Sequence, residues 1–231
     1  MGLRDLLGRR RPMPPPPEGP LADLAAAPRP DRDTPLTEVQ LLAVDLETTG
    51  LDPRTDELLS FGLVPLDAVE VRLAGARHLP VRPRGDVGES AVVHGLTDDT
   101  LAGAPLLDQV LPQVLEALTG RVLVAHFAQV ETTFLQAACR TVYGTWVPPQ
   151  VVDTMELQRR LLGAQFHELR PGVLRLDECR RQHHLPRYRA HSAVVDAIAC
   201  AELFLAQVGA LEERRGRPLV LGDVLDRKLS G

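Results

Sequence analysis

The chain has 231 residues, 44 % of them hydrophobic, and a formal net charge of −5. That length suits one well-filled core, so one domain is expected, and the negative balance excludes a protein that coats nucleic acid by bulk electrostatics, though not an enzyme with a local basic lip. No apolar run is expected to reach the roughly 18 residues of a membrane span, and MGLRDLLGRRRP is too short and charged for a secretory signal, so a cytoplasmic protein without membrane attachment is expected.

Residues 1–36 hold nine of the 20 prolines, including the run Pro14 to Pro17. Proline lacks the helical N–H and fixes its own φ, which predicts an extended, mobile proline-rich arm and a folded domain over 37–210, with 211–231 as a short C-terminal tail. In VQLLAVDLETTG, Leu41, Ala43, Asp45 and Glu47 fall on one face of a strand and Leu42, Val44 and Leu46 on the other; apolar residues on both sides mean an interior strand of a covered sheet. ELLSFGLVPLD from 57 and VEVRLAGARHLPV from 69 continue it as an antiparallel meander. After VHGLTDDTLAGAP, the spacing of Leu107, Val110, Leu111, Val114, Leu115 and Leu118 predicts a helix. RVLVAHF at 121 is a short buried strand, a helix follows from about 130, QVVDT is a last strand, and helices are expected over 154–163, 173–184 and 191–208. The expected fold class is α/β, a mixed five-stranded sheet of antiparallel meander plus parallel strands, covered by helices.

Cys139, Cys179 and Cys200 form no Cys-x-x-Cys pair and read as reduced core residues. Lys228 is the only lysine, so there is no Gly-Lys-[Ser/Thr] phosphate loop; no serine sits in a Gly-x-Ser-x-Gly elbow, and there is no His-Glu-x-x-His. Carboxylates and histidines remain. Asp45 and Glu47, two apart at a strand's C-terminal end, project together, about 7 Å apart along the chain. Asp196 shares its helical stripe with Ala193, Ala199, Cys200 and Leu203, and Glu131 shares one with Phe134, Leu135 and Ala138. A buried charge there is costly without a partner, and a metal ion supplies one. The competing readings are a solvated strand end for the first pair, an Asp196 bonded to a neighbouring loop's backbone, and a Glu131 that only favours its helix dipole. Four carboxylates without a cysteine or histidine cluster suit Mg²⁺ or Mn²⁺ rather than Zn²⁺, and two such ions about 4 Å apart serve phosphodiester displacement. His191, five residues before Asp196 and at the helix start, suits removal of a proton from an attacking water. Asp153 reads as a helix cap.

VDLETTG, LVAHFAQVETTFL and HSAVVDA, in that order, resemble the three motifs of the DnaQ-like, or DEDDh, 3′-to-5′ exonucleases of the RNase H-like fold. The resemblance implies that Asp45, Glu47, Glu131 and Asp196 bind two divalent ions and that His191 is the general base. It also implies that Thr48 and Thr49 receive the 3′-terminal nucleotide, with His126 and Phe127 near its neighbour. By spacing alone, the threonines could merely end a strand, and His126 and Phe127 likewise. The expected function is hydrolysis at 3′ ends of single-stranded DNA in proofreading or repair, beside a DNA polymerase or repair partner. RNA 3′ trimming and a catalytically weak nucleic-acid-binding or polymerase-accessory module are the alternatives. Three departures stand out: Phe127 where the family often has Asn, Ser60 where it often has Glu or Gln, and Glu131 in place of Asp. The arginines of 170–189 (Arg170, Arg175, Arg180, Arg181, Arg187 and Arg189) are expected either to form the basic lip or to lie on a solvated helix face.

Overall fold

The structure, a computed structural model, describes residues 14–67, 70–163, 169–188 and 191–230, with the side chains of 93 and 94 left out. Its elements in chain order are α1 (Pro20–Ala26), β1 (Gln40–Thr48), β2 (Leu58–Asp67), β3 (Glu70–Val71), β4 (Arg77–Pro80), α2 (Ala91–His94), α3 (Asp98–Leu101) and α4 (Leu107–Leu118). Then come β5 (Val122–Ala125), α5 (Gln129–Tyr143), β6 (Val151–Asp153), α6 (Thr154–Leu162), α7 (Leu176–Gln182), α8 (Ala193–Arg215) and α9 (Leu221–Val224).

One sheet runs β3-β2-β1-β5-β6, with β4 also paired to β2. β2 lies antiparallel to β1, whereas β5 and β6 are parallel to β1 and to each other. This is the RNase H-like α/β fold. The expected third strand is two: a 3₁₀ turn at Leu73–Gly75 interrupts it, so β3 meets Leu66 and Asp67, and β4 meets Ser60 to Leu63. The sheet therefore has six strands where five were expected.

β1 is covered on both faces, as its sequence requires. Leu42 and Val44 join Phe61, Val110, Leu111, Val114, Phe134 and Leu135 in one core, while Leu41 and Ala43 join Val64, Ala197, Cys200, Ala201 and Phe204 in the other. The three cysteines are buried and free.

Three expectations are corrected. The proline-rich arm is not extended throughout its described part, since α1 starts at Pro20, a residue tolerated at the first helical position, and buries Leu21 and Leu24 against the sheet's helical cover. Residues 1–13 lie outside the described residues. The C-terminal segment is no loose tail: Leu219, Leu221, Val224 and Leu225 are buried, the Leu36 N–H donates to the Leu219 carbonyl and the Leu221 N–H to the Thr34 carbonyl. Helix α8 runs to Arg215 and is long and apolar enough to cross a membrane, with a mean hydropathy of 1.8 over 18 residues. Half of that stretch is buried against the sheet, where the apolar surface is used as core.

Candidate active site

β1 delivers Asp45 and Glu47 to the end of the sheet where the parallel strands finish, the end at which open α/β sheets build sites. A bulge between Glu47 and Thr48 shifts the register with β2 there, so that Glu47 faces Ser60 and Thr48 faces Leu58. Helix α8 brings Asp196 from the other side, and oxygens of Asp45, Glu47 and Asp196 all lie within 4.8 Å of one another.

What allows that approach is Gly62. It pairs with Asp45 across the sheet, and the first turn of α8 presses onto it: a Cβ there would stand 2.0 Å from the Ala193 carbonyl oxygen. Asp196 is three residues further along the helix. The sequence carried a signal for this, a glycine inside the strand LLSFGLV, which marks close backbone approach.

Glu131 is buried at the start of α5 on the stripe of Phe134, Leu135 and Ala138, as expected, and its Oε2 has no hydrogen-bond partner. It lies outside the close group of three but within its field. Burial, then the charges of Glu131, Asp196 and Glu47, push the Asp45 carboxyl well above its ordinary range. Burial and then Asp196 push Glu47 up to about 7; burial and then Asp153 push Glu131 up to about 8. Burial also raises Asp196, opposed first by the His191 N–H. Among the described residues, none of the four carboxylates has an arginine or lysine partner. Crowded acids without a direct ion pair, one with an orphaned oxygen and only Asp196 eased by the charges of His191 and Arg180, are the donor set a hard divalent cation satisfies.

His191 precedes α8, is exposed, has φ 70°, and donates its N–H to Asp196 Oδ2 at 2.8 Å. It is thus tied to the cluster through its main chain. Asp153 is the expected cap, accepting from the amides of Met155 and Glu156, and it also accepts from Phe127 and Ala128. One carboxylate therefore stitches the start of α6 to the turn leading into Glu131.

The remaining candidates are partly committed to the protein. The Thr48 hydroxyl donates to the Gly50 carbonyl at 2.6 Å, and the Thr49 hydroxyl accepts from the Glu57 amide at 2.9 Å, so both hydroxyls hold the strand-ending turn. Burial pushes His126 down to about 4, and a neutral ring meets both of its contacts: Nε2–H donates to the Leu174 carbonyl, and Nδ1 accepts from the Thr154 hydroxyl. Neither His126 nitrogen is left for a ligand. Phe127 is 44 % exposed and sits at φ 67°, a conformation that Asn tolerates and a bulky side chain does not. Phe127→Asn should therefore raise stability by about 1 kcal/mol in urea unfolding; an unchanged or lower midpoint would show that the turn carries no such strain. Ser60 stands opposite Glu47, fully buried, with its hydroxyl unpartnered.

Two arginines of the expected basic lip are committed within the protein. Arg180 is buried, Arg181 is paired with Glu178 at 2.6 Å, and Arg189 lies outside the described residues.

The family profile described as RNase_T, exonuclease, matches residues 42–204. The chain is 28 % identical over 183 residues to the DNA polymerase III PolC-type of Thermotoga maritima, covering 78 % of this chain but 13 % of that protein. It is 34 % identical over 196 residues to a putative bifunctional exonuclease/endonuclease of Mycobacterium tuberculosis, covering 81 % and 30 %. Against the DNA polymerase III subunit epsilon of Treponema pallidum it is 29 % identical over 178 residues, covering 77 % and 80 %. The chain thus spans about an eighth of the PolC-type relatives it matches. The nuclease domain of 3′hExo, described as a DEDDh family member bound to rAMP, superposes with a TM-score of 0.62 at 16 % identity, over 81 % of this chain and 96 % of that one. Exonuclease X, solved with 5′ overhanging duplex DNA, gives 0.57 at 21 % over 79 % and 98 %. With the RNase H-like sheet and a match across residues 42–204, the chain belongs to the RNase_T exonuclease family.

Proposed function

We propose that the chain is a divalent-metal-dependent 3′-to-5′ exonuclease that releases nucleoside monophosphates from single-stranded DNA ends, in proofreading or repair. The observation that carries this reading is the approach of Asp45, Glu47 and Asp196 to within 4.8 Å of one another beside a histidine at a helix start. These three would hold a first Mg²⁺ or Mn²⁺ and Glu131 would serve a second. The ions, when bound, polarise the attacking water and stabilise the leaving oxygen of the scissile phosphodiester.

The chain's own groups do the rest. Asp196 gives one oxygen to the His191 N–H, and its other oxygen would hold the cation. His191 takes the proton of the attacking water. The backbone of the Thr48–Thr49 turn receives the terminal nucleotide, and the exposed Phe127 ring offers a stacking face to the next base, with His126 bracing the strand end behind it. The similarity to DNA polymerase III relatives supports DNA over RNA, and a DNA polymerase or repair complex as the partner.

The test is a pair of 5′-labelled strands of one sequence, DNA and RNA, incubated with Mg²⁺ or Mn²⁺. Stepwise shortening from the 3′ end, faster on DNA, is expected. His191→Ala should lower kcat about 10²- to 10⁴-fold while metal binding persists. Faster shortening of RNA would move the substrate to RNA, and no metal-dependent shortening of either strand would remove the enzyme reading.

A further inference from the structure

Arg180 looks on paper like part of a phosphate-guiding lip, yet its side chain is 4 % exposed. It reaches from α7 into the junction with α8. There Nη1 donates to the Ala199 carbonyl at 2.6 Å, and Nη2 donates to the Pro186 carbonyl and to Glu202 Oε2, both at 2.8 Å. The guanidinium also lies 4.5 Å from the centre of the Tyr188 ring, and the Tyr188 hydroxyl donates to the other Glu202 oxygen at 2.8 Å. Ala199 and Glu202 belong to α8, Pro186 and Tyr188 to the segment that leads into His191.

Arg180 and Glu202 hold Pro186 and Tyr188, and Asp196 holds the His191 N–H. Two histidines, one before Pro186 and one after Tyr188, take left-handed backbone. His184 and His191 have φ of 56° and 70°, each costing about 1–2 kcal/mol for a non-glycine residue, and such conformations persist only where the surroundings over-determine them. A buried arginine is seldom retained for stability, since an apolar side chain of similar volume does as well or better. It does hold several acceptors in fixed directions at once.

We propose that Arg180, with Glu202 and Tyr188, is a latch that positions His191 over the carboxylate cluster. Arg180 is a positioning residue in this account: it touches no reacting atom and acts through the histidine. The inference rests on the proposed role of His191 as base, and its test is built to fail separately from that role.

Arg180→Met should lower kcat by about 10²-fold, the loss expected from a misplacement of roughly 1 Å, with KM within about twofold. In a His191→Ala background the same substitution should cost less than about twofold, because the group it positions is gone. Should Arg180→Met fail to fold, Tyr188→Phe, at a half-exposed position, removes one bond of the latch and should lower kcat about fivefold with the same dependence on His191. The imidazole NMR signal of His191 in the metal-free chain should shift or broaden in either variant; this arm needs no turnover. Equal losses in the presence and absence of His191, a rise in KM instead of a fall in kcat, or an unmoved His191 signal would overturn the latch. A moved signal in a chain that cleaves nothing would keep the latch and sink the nuclease reading.

Discussion

Gly62→Ala is expected to destabilise the chain by about 3 kcal/mol or more and to abolish metal-dependent turnover. The added methyl would sit 2.0 Å from the Ala193 carbonyl, a backbone atom at the start of α8 that cannot rotate aside. Overpacking commonly costs about 1–3 kcal/mol, and a clash with backbone belongs at the upper end. The relief available is a retreat of α8 from β2, which withdraws Asp196 from Asp45 and Glu47. Stability and catalysis should therefore fall together. Gly209→Ala is the control: it lies inside the same helix with nothing within 4 Å of the new methyl, and alanine there should raise stability by about 0.5–1 kcal/mol. Urea unfolding of both variants checks the pair. A Gly62→Ala protein as stable as the parent would show that α8 does not depend on the missing side chain.

The second large effect has the opposite sign for stability and for function. Glu47 and Glu131 have folded-state values of about 7 and about 8, raised from 4.5, so the folded chain binds more protons than the unfolded chain between those limits. Stability then falls as pH rises through that window. Without metal, these carboxylates should cost the chain roughly 3–5 kcal/mol of stability between pH 4.5 and 8.5, sharing one field rather than adding independently; the depressed His126 acts in the opposite sense below about pH 6.5, so the net fall belongs to the range above it. Divalent cations should restore much of that loss at pH 8.5 and little at pH 4.5, where protons already occupy the carboxylates. Asp45→Asn removes the charge at the centre of the cluster. It should make the metal-free chain more stable at pH 8.5 while eliminating nuclease activity. A metal-free stability that rises steadily from pH 4.5 to 8.5 would contradict the crowding of these acids.

Much of the site was legible in the sequence because its logic is local. The two-residue period of β1 put Asp45 and Glu47 on one side, and the helical period put Glu131 and Asp196 among apolar neighbours, where the structure finds them. What could not be read from periodicity depends on contacts between distant segments. Gly62 carries no side chain for a pattern to detect, and its role appears only when α8 is docked on β2. Arg180 and Arg181 are adjacent in sequence yet opposite in fate, one buried between helices and the other exposed beside Glu178. The apolar content of the third stretch predicts one strand through Leu73–Gly75; the turn there appears in the backbone alone. The proline count of the arm obscured LADLAAA, a proline-free stretch of good helix formers behind Pro20. The docking of the C-terminal segment has no local signature, because its partners, Thr34 and Leu36, lie at the other end of the chain.

Glu131 marks where the site departs from a close quartet: three carboxylates lie within 4.8 Å of one another and the fourth stands outside that group, coupled through its field. Calorimetric titration of Mn²⁺ into the metal-free chain at pH 8 tests the central claim directly, that this cluster is a divalent-metal site. The wild-type chain should bind one ion tightly through Asp45, Glu47 and Asp196 and a second more weakly, and Asp45→Asn should lose both. Absence of binding, or binding unchanged by Asp45→Asn, would contradict it.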